Sequence, residues 1–203
     1  TLSFAGDVHF SELILQNYDK DGILGIVDSE MLSYMQNTDL FVLNHEFVFT
    51  TGGEAMEDKE YTLRNDPKYV KILQELGTDV VSIANNHILD FGQEAFLDTL
   101  ATLEDAEIEY AGGGRNLERA LAPVIKTING QTFAIFAATR IAGCTFPSRF
   151  GGVQRTISLH PAIFAGVASI RTVEKSGAVP PGIYRPTFSI AVAFCQQYTP
   201  VIV

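Results

Sequence analysis

An α/β fold is predicted by three observations: short β-branched apolar runs, helical stripes set between them, and polar clusters placed just past the runs. The first run, residues 2–5, is followed by a helical stretch at 29–35 and a second run at 40–43. Asp66 then stands as an N-cap before Pro67, whose missing N–H costs nothing at a first helical position. Tyr69, Ile72, Leu73 and Leu76 form one apolar stripe, and Gly77 stops that helix. Residues 78–84 are short, apolar and β-branched, as suits a parallel strand buried on both faces. Phe96, Leu97, Leu100 and Leu103 mark the next helix, residues 108–111 a further strand and 116–121 a short helix. Two strands at 124–127 and 132–138 turn back on each other at Asn129-Gly130. The alternation implies helices covering a largely parallel sheet.

Composition narrows the function. A chain of 203 residues, 46% hydrophobic and 19% charged, can bury a sizeable core, so extensive disorder is not expected. Its formal charge of −10 argues against nucleic acid, whose phosphates it would repel, and fits metal ions or cationic partners better. No run approaches the roughly 20 apolar residues of a membrane helix. No signal peptide precedes Thr1 either, so a leader or anchor, if there is one, is expected upstream of it. Cys144 and Cys195 make no metal-site or redox spacing.

Charge is unevenly spread. Residues 1–139 hold 23 acidic and 8 basic side chains, a net −15, whereas residues 140–203 hold 1 and 6, a net +5. A boundary is therefore expected at residue 139. The 64 residues beyond it carry a single carboxylate, Glu174, with little amphipathic period, and make a poor independent domain.

Three apolar runs end in potential ligands. After the first comes Gly6-Asp7-Val8-His9, where an extended backbone points Asp7 and His9 the same way. After the second comes Asn44-His45-Glu46, whose carboxylate is placed to bridge two cations or, more plainly, to cap a helix. After the third come Asn85, Asn86 and His87, an amide oxygen able to ligate a metal beside an imidazole able to act as an acid. Asp90 either orients His87 or caps the following helix. Any one of these clusters alone reads as an ordinary turn; their recurrence at successive strand ends is the site signal. Gly112-Gly113-Gly114 offers backbone N–H groups to an anion but lacks a dinucleotide fingerprint, and a tight turn is the better reading.

Over residues 2–139 the chain resembles the capsule synthesis protein CapA family of poly-γ-glutamate biosynthesis, related to calcineurin-like metallophosphoesterases. The resemblance is carried by Phe4-Ala5-Gly6-Asp7-Val8, by residues 39–46 ending in Asn44-His45-Glu46, and by Tyr61-Thr62-Leu63-Arg64-Asn65-Asp66-Pro67. Its strongest stretch is Val81 through Ala84-Asn85-Asn86-His87 to Asp90-Phe91-Gly92, with Thr99-Leu100 and the segment 112–120 following in order. It implies a layered metallophosphoesterase-like sandwich of which residues 1–139 supply the N-terminal part. It also implies two divalent ions, manganese, zinc or iron, with Asp7 and His9 on the first, Glu46 bridging and Asn86 on the second. His87, oriented by Asp90, would then protonate a leaving oxygen, and Asn85 and Arg64 would lie on the side of a phosphoester or anionic-polymer substrate. For Arg64 a salt bridge with a nearby acid is an equal alternative. The family further implies an extracytoplasmic or membrane-associated place, with other capsule-synthesis membrane proteins as partners. The family usually carries another residue at the position of His9, whereas the wider superfamily has histidine there.

The resemblance stops at Thr139, and the distal histidine motifs of the family do not follow. Leu159-His160-Pro161 echoes one of them without its second histidine. A shifted reading frame, a divergent C-terminal half and an artificial junction are the open explanations for the tail. Three functional readings stand: a binuclear metal-dependent hydrolase, a non-catalytic polymer-binding or assembly component of the envelope, and an inactive incomplete product.

Overall fold

Four parallel strands frame the molecule: β1 (Leu2–Val8), β2 (Leu40–His45), β5 (Val80–Ser82) and β6 (Glu109–Ala111), side by side in that order. The computed structural model describes residues 1–57 and 59–139 and the backbone of a strand at 188–196. The expectations placed on Cys144, His160 and most of the 140–203 tail lie outside the described residues.

Between these strands run α1 (Glu12–Asp21), α2 (Ser29–Gln36), a two-stranded parallel ribbon of β3 (Val48–Phe49) and β4 (Arg64–Asn65), α3 (Val70–Glu75) and α4 (Gly92–Asp105). The parallel strands are laid down in sequence order, so crossovers of one hand stack every helix on one face. The packing agrees. Phe41, Leu43, Val81 and Ile83 meet Ile72 and Leu73 of α3 and Phe96, Leu100 and Leu103 of α4 in one core, with Leu15 and Tyr18 of α1 at its margin.

The opposite face needs a different cover, and a second sheet supplies it. The hairpin β7 (Val124–Ile128) and β8 (Gln131–Thr139) turns at Asn129 and Gly130, both at positive φ, and β9 (Phe188–Gln196) joins β8 in parallel. Val124, Ile135 and Ala137 pack on Leu40, Val42, Val80, Ala84 and Ala111. Helices therefore cover one face of the parallel sheet rather than both. β2 lies between the two cores, and all six of its residues are buried. This explains its unbroken apolar run.

Some expected elements shift. The run 78–84 yields only a three-residue strand, because beyond Ser82 the chain leaves the ladder after Ile83 N–H donates to Ala111 O. Asp66 caps as expected, its Oδ1 accepting from Lys68 N–H at 2.9 Å, but the first turn, Pro67–Tyr69, is a 3-10 helix that leads into α3. The short helix α5 (Leu117–Leu121) follows Asn116 as its cap. The sequence reading did not foresee α1, which contains no fully buried residue. Polar ties add to the packing of Ile14, Leu15 and Tyr18: Tyr18 Oη donates to Glu75 Oε1 at 2.8 Å, and Tyr69 Oη donates to Asp19 Oδ2 at 2.7 Å.

Candidate active site at the strand ends

Register brings the polar residues together. Asp7 on β1 pairs with Asn44 on β2, and Asn44 pairs with Ser82 on β5, so the C-terminal ends of three strands share one edge. Open α/β sheets present their chemistry at this edge. A chain of amides runs along it. Asn44 Nδ2 donates to Asp7 Oδ1 at 2.6 Å, and Asn85 Nδ2 donates to His45 O at 2.7 Å and to Asn44 Oδ1 at 3.3 Å. Asn85 Oδ1 accepts from His87 N–H at 3.0 Å, and the residue is 3% exposed. Its amide is thus engaged within the protein, holding the 85–92 loop against β2.

His87 and Asp90 form the other half. Asp90 Oδ2 lies 2.7 Å from His87 Nδ1 and accepts from Leu63 N–H at 2.7 Å, while Asp90 Oδ1 accepts from Lys59 Nζ. The carboxylate is fully buried. With Asp90 as acceptor the network assigns the proton to Nδ1, leaving Nε2 for chemistry. Asp90 orients His87 and does not cap α4, whose N-cap is Phe91 with no side-chain hydrogen bond.

Other expected residues take varied places. Asn86 turns a buried Oδ1 toward no partner, although its backbone carbonyl accepts from Lys59 Nζ at 2.6 Å. Glu46 is half-buried just after β2, its N–H donating to Val8 O at 3.0 Å. His9 is exposed beyond β1 and hydrogen-bonds to none of the other strand-end residues. Arg64 forms no salt bridge among the described residues; its guanidinium lies 4.5 Å from the Phe91 ring centroid and donates to Gly52 O at 3.2 Å. Gly112-Gly113-Gly114 is closely packed, with Gly112 at φ +88°. A Cβ on Gly112 would stand 2.5 Å from Ala84 Cβ, so the glycine lets the loop pass between the two sheets.

His45 is fully buried, with both ring nitrogens unpartnered, 3.9 Å from the Phe47 ring and 4.8 Å from that of Phe49. Burial pushes its pKa down to about 3, so the ring is neutral. Lys59 is a site residue that sequence reasoning missed. It sits in an acidic, glycine-containing loop where a lone lysine reads as solvated, and the available signal was the buried acid it had to neutralise.

The donors test the implied metals unevenly. A buried, unpartnered amide oxygen such as Asn86 Oδ1 is costly unless something fills the place opposite it, and a cation would do so. Among the described residues, however, no three His, Cys, Asp or Glu side chains gather closely enough to hold an ion. The described strand ends do not close an ion site.

Fold and site together define a class: an α/β protein whose parallel-sheet edge carries carboxylate, amide and imidazole groups at successive strand ends. The family model of the bacterial capsule synthesis protein PGA_cap matches residues 1–158, running past Thr139, and the chain belongs to that family. It is 37% identical over 104 residues to a probable polyglutamine synthesis accessory protein of Mycobacterium tuberculosis, covering 50% of this chain and 27% of that protein. It is 27% identical over 146 residues to the capsule biosynthesis protein CapA of Bacillus anthracis, covering 68% and 34%. It is 26% identical over 172 residues to the PGA biosynthesis protein CapA of Bacillus subtilis, covering 82% and 44%. The matches therefore span less than half the length of each of these relatives.

Proposed function

We propose that the chain is part of a CapA-like protein of poly-γ-glutamate capsule synthesis with a metallophosphoesterase-like layered fold, acting as a metal-dependent phosphoester hydrolase. The observation that carries this reading is the His87–Asp90 pair at the end of β5 beside the unpartnered Asn86 Oδ1. Asp7, His9, Glu46 and Asn86 would hold two divalent ions, manganese, zinc or iron; when bound, these supply positive charge that polarises a phosphoryl oxygen. His87 delivers the proton from Nε2 to the leaving oxygen, and Asp90 faces the positive charge of the ring that acts as acid. Arg64 and Asn85 would lie on the side of an anionic substrate, with Asn85 also holding the loop in register.

Electrostatics favours dependence on ions. Residues 1–139 carry a net −15, so an anionic polymer approaches the site only where cations offset that field. The family points to an extracytoplasmic or membrane-associated place among other capsule-synthesis membrane proteins. Among the described residues no helix is long and apolar enough to cross a membrane. Residues 1–139 would then be the N-terminal part of the catalytic domain, with 140–203 as an atypical tail.

The test is hydrolysis of a generic aryl phosphoester after chelation and reloading with manganese, zinc or iron. Activity should return with metal and fall by about 10²–10⁴-fold in His87→Ala. No hydrolysis in any metal contradicts the reading. A second reading, a non-catalytic polymer-binding component, is favoured by the lack of a three-ligand group among the described residues. It predicts poly-γ-glutamate binding that survives chelation.

A further inference from the structure

The segment between β3 and β4 is tied to the His87 loop at several points. Met56 N–H donates to Asp90 O at 2.9 Å and Leu63 N–H to Asp90 Oδ2 at 2.7 Å. At Gly53, whose φ is +78°, a Cβ would stand 2.5 Å from Phe91 O, so the backbones are nearly in contact. The donors in those ties are uncharged backbone N–H groups. Lys59 adds a charge: its Nζ, with the side chain 23% exposed, reaches Asn86 O at 2.6 Å and Asp90 Oδ1, and stands 3.2 Å from His87 Nδ1.

We propose that Lys59 is a positioning residue that holds the Asp90 carboxylate in the rotation that seats His87. The reasoning is geometric. A carboxylate has two oxygens and can turn about its Cβ–Cγ bond. With Oδ1 fixed by the ammonium, Oδ2 is left facing both the His87 ring and Leu63 N–H. The second ammonium contact, to Asn86 O, fixes the backbone on which Asn86 and His87 are carried. The 3.2 Å approach to Nδ1 is then a contact and not a hydrogen bond, because that nitrogen's proton is given to Asp90. Without the ammonium, Oδ1 is left with no donor, and only Leu63 N–H and the ring itself hold the carboxylate, so the ring's partner is less firmly fixed. A point charge on a flexible stem suits this task, since it can satisfy two acceptors at an angle.

The consequence for catalysis rests on the proposed acid role of His87, but the seating of the ring does not. It is therefore read directly, on the full chain labelled with ¹⁵N-histidine, with His87→Gln identifying the ring signals. The Nδ1–H proton of His87, protected by its bond to Asp90, should be visible in the unsubstituted protein. In Lys59→Met, which keeps the aliphatic stem, it should be lost or broadened with little change in melting temperature. Lys59→Arg should restore it. An unchanged ring signal in Lys59→Met overturns the proposal. So does loss of the signal in both variants together with a collapse of the melting transition, which would make Lys59 a support of the fold alone. Neither result depends on whether the protein hydrolyses a phosphoester, so this proposal and the catalytic one fail separately.

Discussion

His45 and Asp90 are both fully buried and polar, yet their neighbourhoods differ, and so do the consequences of replacing them. Asp90 receives three donors, from Lys59, His87 and Leu63 N–H. Asp90→Ala removes the acceptor of all three and should cost about 3 kcal/mol in denaturant unfolding, as loss of one partner of a buried ion pair does. His45 has no partner for either nitrogen, and His45→Leu should instead stabilise the protein by about 1–3 kcal/mol, the cost of an unmet buried polar group. The acid dependence follows from its pKa of about 3, below the unfolded value of 6.5. The unfolded chain takes up this proton first, so the stability is fully present above pH 6.5 and is lost as pH falls from there toward 3, by about 1.4 kcal/mol per pH unit. His45→Leu should flatten that slope in melts recorded across this range. The spacing of Asn86, His87 and Asp90 was legible because a strand end fixed where they would meet. Lys59 was not, because its partners are about 30 residues away and its own neighbours are acidic.

Element legibility did not follow burial alone: α2, foreseen at 29–35, and α1, not foreseen, both lack a fully buried residue. α4 shows Phe96, Leu100 and Leu103 on one face, and all three are buried. α1 packs Ile14, Leu15 and Tyr18 against the core without burying any of them fully, and hydroxyl-to-carboxylate bonds tie its edge. The β3–β4 ribbon escaped notice because each strand is two residues long. Its anchor is Thr99, whose Oγ1 accepts from Phe49 N–H at 2.9 Å and donates to Ala95 O at 2.8 Å. Thr99→Val keeps the shape and leaves that N–H unpaired, so it should cost about 1–3 kcal/mol. Hydrogen exchange at the Phe49 amide should rise with it, and unchanged exchange would mean that α4 does not hold the ribbon. Asp28, which caps α2 through Glu30 N–H and Met31 N–H, is worth less: Asp28→Ala should cost about 1 kcal/mol.

At the scale of the molecule, strands laid down in order put α1 to α4 on one side and leave the other side for a sheet. The parallel sheet could be foreseen from local pattern, but the one-sided cover could not, since the order of strands is a long-range property. The same order aligns Asp7, Asn44 and Ser82 along one edge and delivers Glu46 and Asn86 just beyond it. On the proposed reading this edge is a single ion-dependent site. Calorimetric titration of manganese into the metal-stripped chain tests it most directly. The chain should bind manganese saturably, with binding weakened at least about tenfold in Asp7→Ala and again in Asn86→Ala, with the fold intact in both. Binding of equal strength in all three proteins, or none in the unsubstituted chain, would contradict it.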